Sequence, residues 1–319
     1  MSSNPSKIIE WDGINKTRTR LLKMWEVVKH VRNEGDSFGR SSSWKPTCLT
    51  FAGSSAKFER LLVSGGITSA DKITTIQTYQ KLGQHHNGRD LLNGLIKTQR
   101  KYLNGMYIWP HNFQSFTECY NLNGCTTPSD NKQAGWNTPL YKGYMKRITG
   151  SKTGKFCILD LDFCGIFNKR NAYSVVNLFS KKLLDDSGVM FINHQKGRDV
   201  RGGKLFDILH GYLRECPLID FGSIPNIHEE GGGWPTYVAR YVLIPLFYIC
   251  KAAENGYALE LAHLVEYRDS HKSSGGAVNM LQFYFRWYRY DFLEEPDYAV
   301  RRNLEEVINE EYKYYQWIS

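Results

Sequence analysis

The chain has 319 residues, is 41% hydrophobic and 23% charged, and has a mean hydropathy of −0.46. That balance excludes a disordered chain, a collagen and a coiled coil, and it leaves enough apolar residues for a sizeable core. The longest apolar run, near Val242–Cys250, is broken by Pro245. It falls short of the roughly 18 residues a membrane span needs, so no membrane partner is expected. The opening MSSNPSKIIEWDG has no apolar signal-peptide core.

Seven cysteines are scattered without a C-x-x-C pair. This predicts neither a disulfide framework nor a zinc site, and no metal ligands are assigned; a reducing, cytoplasmic setting fits. The net charge of +9 is uneven. Residues 1–200 carry 29 Lys+Arg against 15 Asp+Glu, or +14, and residues 201–319 carry 12 against 17, or −5. A basic N-terminal part predicts a polyanionic partner, with DNA or RNA the common case.

In chain order, Thr17–Arg32 predicts an amphipathic helix with Leu21, Leu22, Trp25, Val28 and Val31 on its apolar face. Asn33–Pro46 reads as a linker. Strand Thr47–Ala52 leads to helix Ser54–Val63, capped by Ser54 or Ser55, then strand Lys72–Tyr79 and helix Gly88–Leu103. Strand Met106–Trp109 and a short helix, Gln114–Tyr120, follow. The stretch 121–154 is long and polar, the length of a functional or disordered loop. Phe156–Leu161 reads as a buried strand, Asn171–Leu184 as a helix, Gly188–Asn193 as a strand and Lys204–Arg214 as a helix. Tyr237–Ala253 reads as an apolar helix bent at Pro245. Leu259–Tyr267 and Asn279–Tyr288 have only a Ser/Gly turn between them and so form an antiparallel hairpin. Pro296–Tyr314 reads as a charged helix.

Alternating units predict an α/β fold, a doubly wound and mostly parallel seven-stranded sheet closed by the hairpin. The predicted layout is an N-terminal helix and linker (1–46), an α/β domain (47–295) with insertions at 121–154 and 216–236, and a C-terminal helix (296–319).

Ligands of such sheets bind at the carboxyl ends of the strands. The sharpest residues there are ILDLDFCG, 158–165. Asp160 and Asp162 end an apolar strand, where carboxylates persist only with a partner: a metal, a ligand amine or hydroxyl, or a helix N-terminus. Phe163 follows at once, an aromatic able to stack.

The element order, the terminal hairpin and LDLDFCG together resemble a class I S-adenosylmethionine-dependent methyltransferase over about residues 47–290. In some RNA-modifying members the matching loop reads Asp-x-Asp-Pro-Tyr-Gly; here Asp160, Asp162 and Gly165 match it, and Phe163 and Cys164 replace Pro-Tyr. The resemblance implies S-adenosylmethionine as cofactor. Gly53, Ser54 and Ser55 stand at the family's first loop, though with one glycine where the family has several. Gln77 stands where an acid binds the ribose, Asn112 where Asp lies near the adenine, with Phe113 beside it, and Asp160 faces the cofactor. The implied reaction methylates an exocyclic amine of a nucleic-acid base, Asp162 accepting the amine hydrogens and Phe163 stacking on a flipped base. Lys142, Lys146, Arg147, His194, Lys196 and Arg198 would contact that substrate, in stretches that interleave basic and aromatic residues.

Three alternatives compete. Cys164 would serve carbon methylation through a thiolate, although the usual Pro-Cys pair is absent. The same loop resembles the Asp-x-Asp of magnesium-dependent haloacid-dehalogenase-like phosphatases, although Phe-Cys-Gly follows it. The amides at Gln77 and Asn112 suit a methyltransferase-like nucleic-acid-binding or structural protein without activity.

Overall fold

The computed structural model describes residues 14–33, 40–41, 43–77, 88–109, 112–121, 124–125, 155–163, 166–196, 202–219, 237–270 and 277–318. The chain divides into two compact units, Met1–Asp160 with His271–Ser273, and Leu161–Ser270 with Ser274–Ser319.

The first unit holds α1 (Ile14–Val27), which runs on into a π-helical turn (Val28–Asn33), β1 (Cys48–Thr50), α2 (Lys57–Ser64), β2 (Ile73–Ile76), α3 (Gly88–Tyr102), β3 (Tyr107–Trp109) and α4 (Phe113–Cys119). A two-residue ladder, β4 (Tyr120–Asn121) with β5 (Gly124–Cys125), follows α4. Strand β6 (Phe156–Asp162) carries the unit boundary. Strands β1, β2, β3 and β6 pair in parallel, with Thr50 opposite both Thr75 and Asp160. Their residues are mostly apolar and almost all buried, as parallel strands covered on both faces are, with Thr50, Thr74, Thr75 and Asp160 the buried polar exceptions.

The second unit holds α5 (Lys169–Ser180), β7 (Leu184–Gln195), α6 (Gly202–Arg214), a π-helical segment (Ala239–Leu243), α7 (Ile244–Ala253), β8 (Tyr257–Ser270), β9 (Ala277–Arg289), α8 (Pro296–Ile308) and β10 (Lys313–Ile318). Asn168 caps α5, its side chain accepting from the Asn171 amide. Helix α7 is apolar and buried except at Lys251 because it is enclosed, packed on β8 and on α5, α6 and α8.

The sheet has eight strands in the order β10-β8-β9-β7-β6-β1-β2-β3. In chain order β1, β2, β3, β6 and β7 lie as 3-2-1-4-5, the doubly wound arrangement, with its switch point between β1 and β6. The hairpin is present: β9 is antiparallel to both β7 and β8. The eighth strand corrects the reading of the C-terminus. Helix α8 ends at Ile308, the chain turns through Glu310 at φ 56°, and Lys313–Ile318 pairs in parallel with β8. KYYQWI is aromatic-rich and suits a pleated surface better than a helix.

Two further differences have physical causes. Helix α2 starts at Lys57, not Ser54. Ala56 precedes it in a left-handed conformation at φ 44°, and no side chain caps it. That conformation costs an alanine about 1–2 kcal/mol. Around Pro245 the bend becomes a π-helical segment followed by a fresh α-helix with the proline in its first turn. Pro245 has no N–H to give the Tyr241 carbonyl, and the Tyr312 hydroxyl donates there instead, at 3.1 Å.

The largest departure is α1. Its buried residues are Asn15, Thr19, Lys23, Glu26 and Val27, while Leu21 is 60% and Trp25 49% exposed. The helix turns Asn15, Thr19, Lys23 and Glu26 inward together with Val27; of the predicted apolar face Val31 is buried, Leu22 and Val28 are half-buried, and Leu21 and Trp25 face out. Leu21→Ser should therefore change unfolding free energy by no more than about 0.5 kcal/mol, whereas Val27→Ala should cost about 1–3 kcal/mol in urea denaturation.

Candidate functional site at the switch point

The polar stripe of α1 meets the carboxyl ends of β1 and β6. Lys23 Nζ lies 2.6 Å from Asp160 Oδ1, and both side chains are buried. Breaking such a pair on one side strands a charge in the interior. Among the described residues nothing donates to Asp160 Oδ2. The Lys23 ammonium also lies 5.6 Å from the Phe58 ring centre. One turn of spacing on the same stripe brings Glu26 Oε2 and His30 Nε2 within 3.2 Å of one another.

Glu59, in the first turn of α2, is 2% exposed. Burial pushes its pKa up to about 7; Asp160 adds to the rise, and Thr50 and Lys23 oppose it. A buried carboxyl whose pKa is raised to about 7 beside a Lys–Asp pair is the kind of group that marks binding and catalytic sites. Neither Lys23 nor Glu59 stands out in the sequence. Lys23 lies between the leucines and tryptophan that suggest the opposite face, and Glu59 reads as an ordinary helix residue.

The expected cofactor residues lie along this edge of the first unit. Residues 51–56 form the turn after β1: Phe51 N–H donates to the Asp160 carbonyl at 2.9 Å and Ala52 N–H to Thr75 Oγ1 at 2.9 Å. The Ser54 carbonyl is held by Thr98 Oγ1 at 2.7 Å, and Gly53 is exposed. Gln77 directly follows β2, and its N–H reaches the Trp109 carbonyl at 3.0 Å. Asn112 caps α4, its side-chain oxygen accepting from the Ser115 amide at 2.8 Å. Phe113 is buried edge-on to Phe51, with ring centres 5.1 Å apart. The register thus aligns Asp160, the 51–56 turn and Gln77 at neighbouring strand ends.

Asp162, Phe163, His194 and Lys196 belong to the second unit. Asp162 Oδ1 accepts from Asn193 Nδ2 at 3.1 Å. Phe163 is 6% exposed and stacks flat on His194, ring centres 5.3 Å apart. His194 is itself 1% exposed, with Nε2 3.3 Å from the Tyr248 hydroxyl and the Phe167 ring edge-on. Lys196 is half-buried and pairs with Glu266 at 2.6 Å. Lys142, Lys146, Arg147, Arg198 and Cys164 lie outside the described residues. Among those described, no cluster of His, Cys, Asp and Glu could hold a metal, and Cys48, Cys157, Cys216 and Cys250 are buried and form no disulfide. No helix among them is long and apolar enough to cross a membrane.

No family model and no curated protein matches this sequence. Two solved structures are similar in fold. One is a presumed RNA methyltransferase from Pyrococcus horikoshii, 8% identical with a TM-score of 0.40 over 90% of each chain. The other comes from the conversion of a disulfide bond into a thioacetal group during echinomycin biosynthesis, 11% identical with a TM-score of 0.34 over 81% of this chain and 82% of that one. Likenesses this distant transfer no residue role from one chain to the other.

Because the folded state holds the Glu59 proton more tightly than the unfolded state, stability should fall as pH rises from about 4.5 to about 7. Glu59→Gln should remove that fall. The difference in slope amounts to about 3 kcal/mol across the window, and urea titrations of both proteins between pH 4 and pH 8 (about the window's limits) measure it.

Proposed function

We propose that this chain is a methyltransferase that uses S-adenosylmethionine and acts on a nucleic-acid base, with an exocyclic amine as the favoured target. The observation that carries the reading is the buried Lys23–Asp160 pair at the switch point between β1 and β6, beside the protonatable Glu59.

The donors at this edge fit a cofactor with an amino-acid end, a ribose and an adenine. Asp160 Oδ2 would accept from the amine, and the Lys23 ammonium would take the carboxylate. Gln77 would bind a ribose hydroxyl with one hydrogen bond where a carboxylate would make two. Asn112, its oxygen held by α4, keeps its amide hydrogens for an acceptor on the adenine ring. When bound, the cofactor supplies an electrophilic methyl group. A neutral Glu59 would leave the Lys23 charge balanced by Asp160 alone, with no surplus anion in the crevice.

For the substrate we assign Asp162, held in orientation by Asn193, as acceptor for the amine hydrogens. Phe163, backed by the His194 ring, would form an aromatic wall. The +14 balance of residues 1–200 supports a nucleic-acid partner.

A second reading has specific support. Lys23 occupies one oxygen of Asp160 and α4 occupies the oxygen of Asn112, as in a methyltransferase-like protein that binds nucleic acid without activity. Calorimetry with S-adenosylmethionine separates the two. The enzyme reading expects micromolar binding by wild type, weakened about tenfold or more in both Asp160→Ala and Lys23→Met. Tighter binding by Lys23→Met would make Lys23 a plug, and no binding by any form would leave the inactive protein.

A further inference from the structure

The second unit contains a cavity of about 410 Å³ that none of the assignments above uses. Its walls come from four elements. Edge strand β10 places Tyr314 and Gln316 at alternate positions, on one face of the strand, and Tyr312 directly precedes it. Tyr237, Arg240 and Tyr241, at helical spacing around the π-helical segment, line the opposite side. Lys196, just past β7, and Glu266 of β8 complete it.

Glu266 organises this cavity. Its Oε1 accepts from Lys196 Nζ at 2.6 Å, and its Oε2 accepts from the hydroxyls of Tyr241 at 2.6 Å and Tyr314 at 2.9 Å. Glu266 is 4% exposed, so these donors compensate a buried charge and fix both tyrosines. Tyr237 and Tyr241 stack on one another, with centres 4.6 Å apart, and Tyr237 donates to Glu310. Tyr314 meets Tyr241 edge-on at 6.0 Å and is 45% exposed. Arg240 is 7% exposed and donates to the Lys196 carbonyl. The two cations balance the two carboxylates.

A charge-balanced cavity walled by fixed aromatic rings favours a neutral planar ring over a free anion. We propose that it binds an unpaired nucleobase of a single-stranded nucleic acid, stacked on Tyr314 with its polar edge read by the Gln316 amide. Sequence-tolerant stacking of this kind is how single strands are held. The inference takes its partner class from the nucleic-acid reading above, but it does not depend on the cofactor.

The test is fluorescence anisotropy with a short dye-labelled single-stranded RNA. Tyr314→Ala should weaken binding about tenfold or more, Gln316→Ala less, and Tyr314→Phe, which keeps the ring, should stay within about threefold of wild type. Tyr314 is half-exposed, and a melting curve for each variant shows whether it is folded. No binding by wild type, or equal binding by wild type and Tyr314→Ala, overturns the proposal. Displacement of the strand by nucleoside monophosphate at equal base concentration also overturns it, since the cavity would then serve a free nucleotide. S-adenosylmethionine calorimetry on wild type keeps the two readings apart: cofactor binding with no RNA binding by wild type sinks this inference alone, and RNA binding that Tyr314→Ala loses, with no cofactor binding by wild type, sinks the cofactor site alone.

Discussion

The first unit depends on one buried ion pair. Lys23 and Asp160 are 137 residues apart in sequence and 2.6 Å apart in space, and neither charge is tolerable inside the protein without the other. The pair explains why α1 lies with its polar face inward. A helix laid over the carboxyl ends of β1 and β6 presents Lys23 to Asp160, and Asn15 and Thr19 are buried with it. Its leucine and tryptophan are then left to the solvent side. The same demand sets the Glu59 proton, which burial and the Asp160 charge both favour.

The second unit solves a similar problem differently. Glu266 is buried near the end of β8, and three donors from three elements meet it. Two are tyrosines whose positions follow from sequence: Tyr241 lies in the π-helical segment ahead of Pro245, and Tyr314 on an edge strand that begins where α8 runs out. The carbonyl that Pro245 cannot satisfy is taken by Tyr312. A helix irregularity, a proline and an edge strand thus interlock through hydroxyl groups around the cavity.

Much of the fold is legible in the sequence because buried parallel strands are continuous apolar runs: CILDL, VMFIN and the two hairpin strands stand out. The interval between elements also betrays the α/β alternation. What fails is informative. Apolar spacing misplaces Leu21 and Trp25 because it assumes an apolar environment, whereas α1 turns Lys23 to the buried Asp160. Strand β10 was missed because a charged helix precedes it without a proline or glycine break, although KYYQWI itself carries strand propensity. Asp160 was found because a carboxylate ending an apolar strand needs a partner, and the structure supplies Lys23 as that partner. Lys23, Glu59 and Glu266 were invisible, since each matters only through contacts far away in sequence.

Hydrogen exchange with and without S-adenosylmethionine tests the central claim most directly. If the Lys23–Asp160 edge is the cofactor site, the ligand should slow exchange in α1, in the turn at residues 53–56 and at the end of β6, because each would lose an opening motion. A ligand that raises the melting temperature while leaving those three segments unchanged would place the site elsewhere, and one that changes neither would remove the cofactor from this protein.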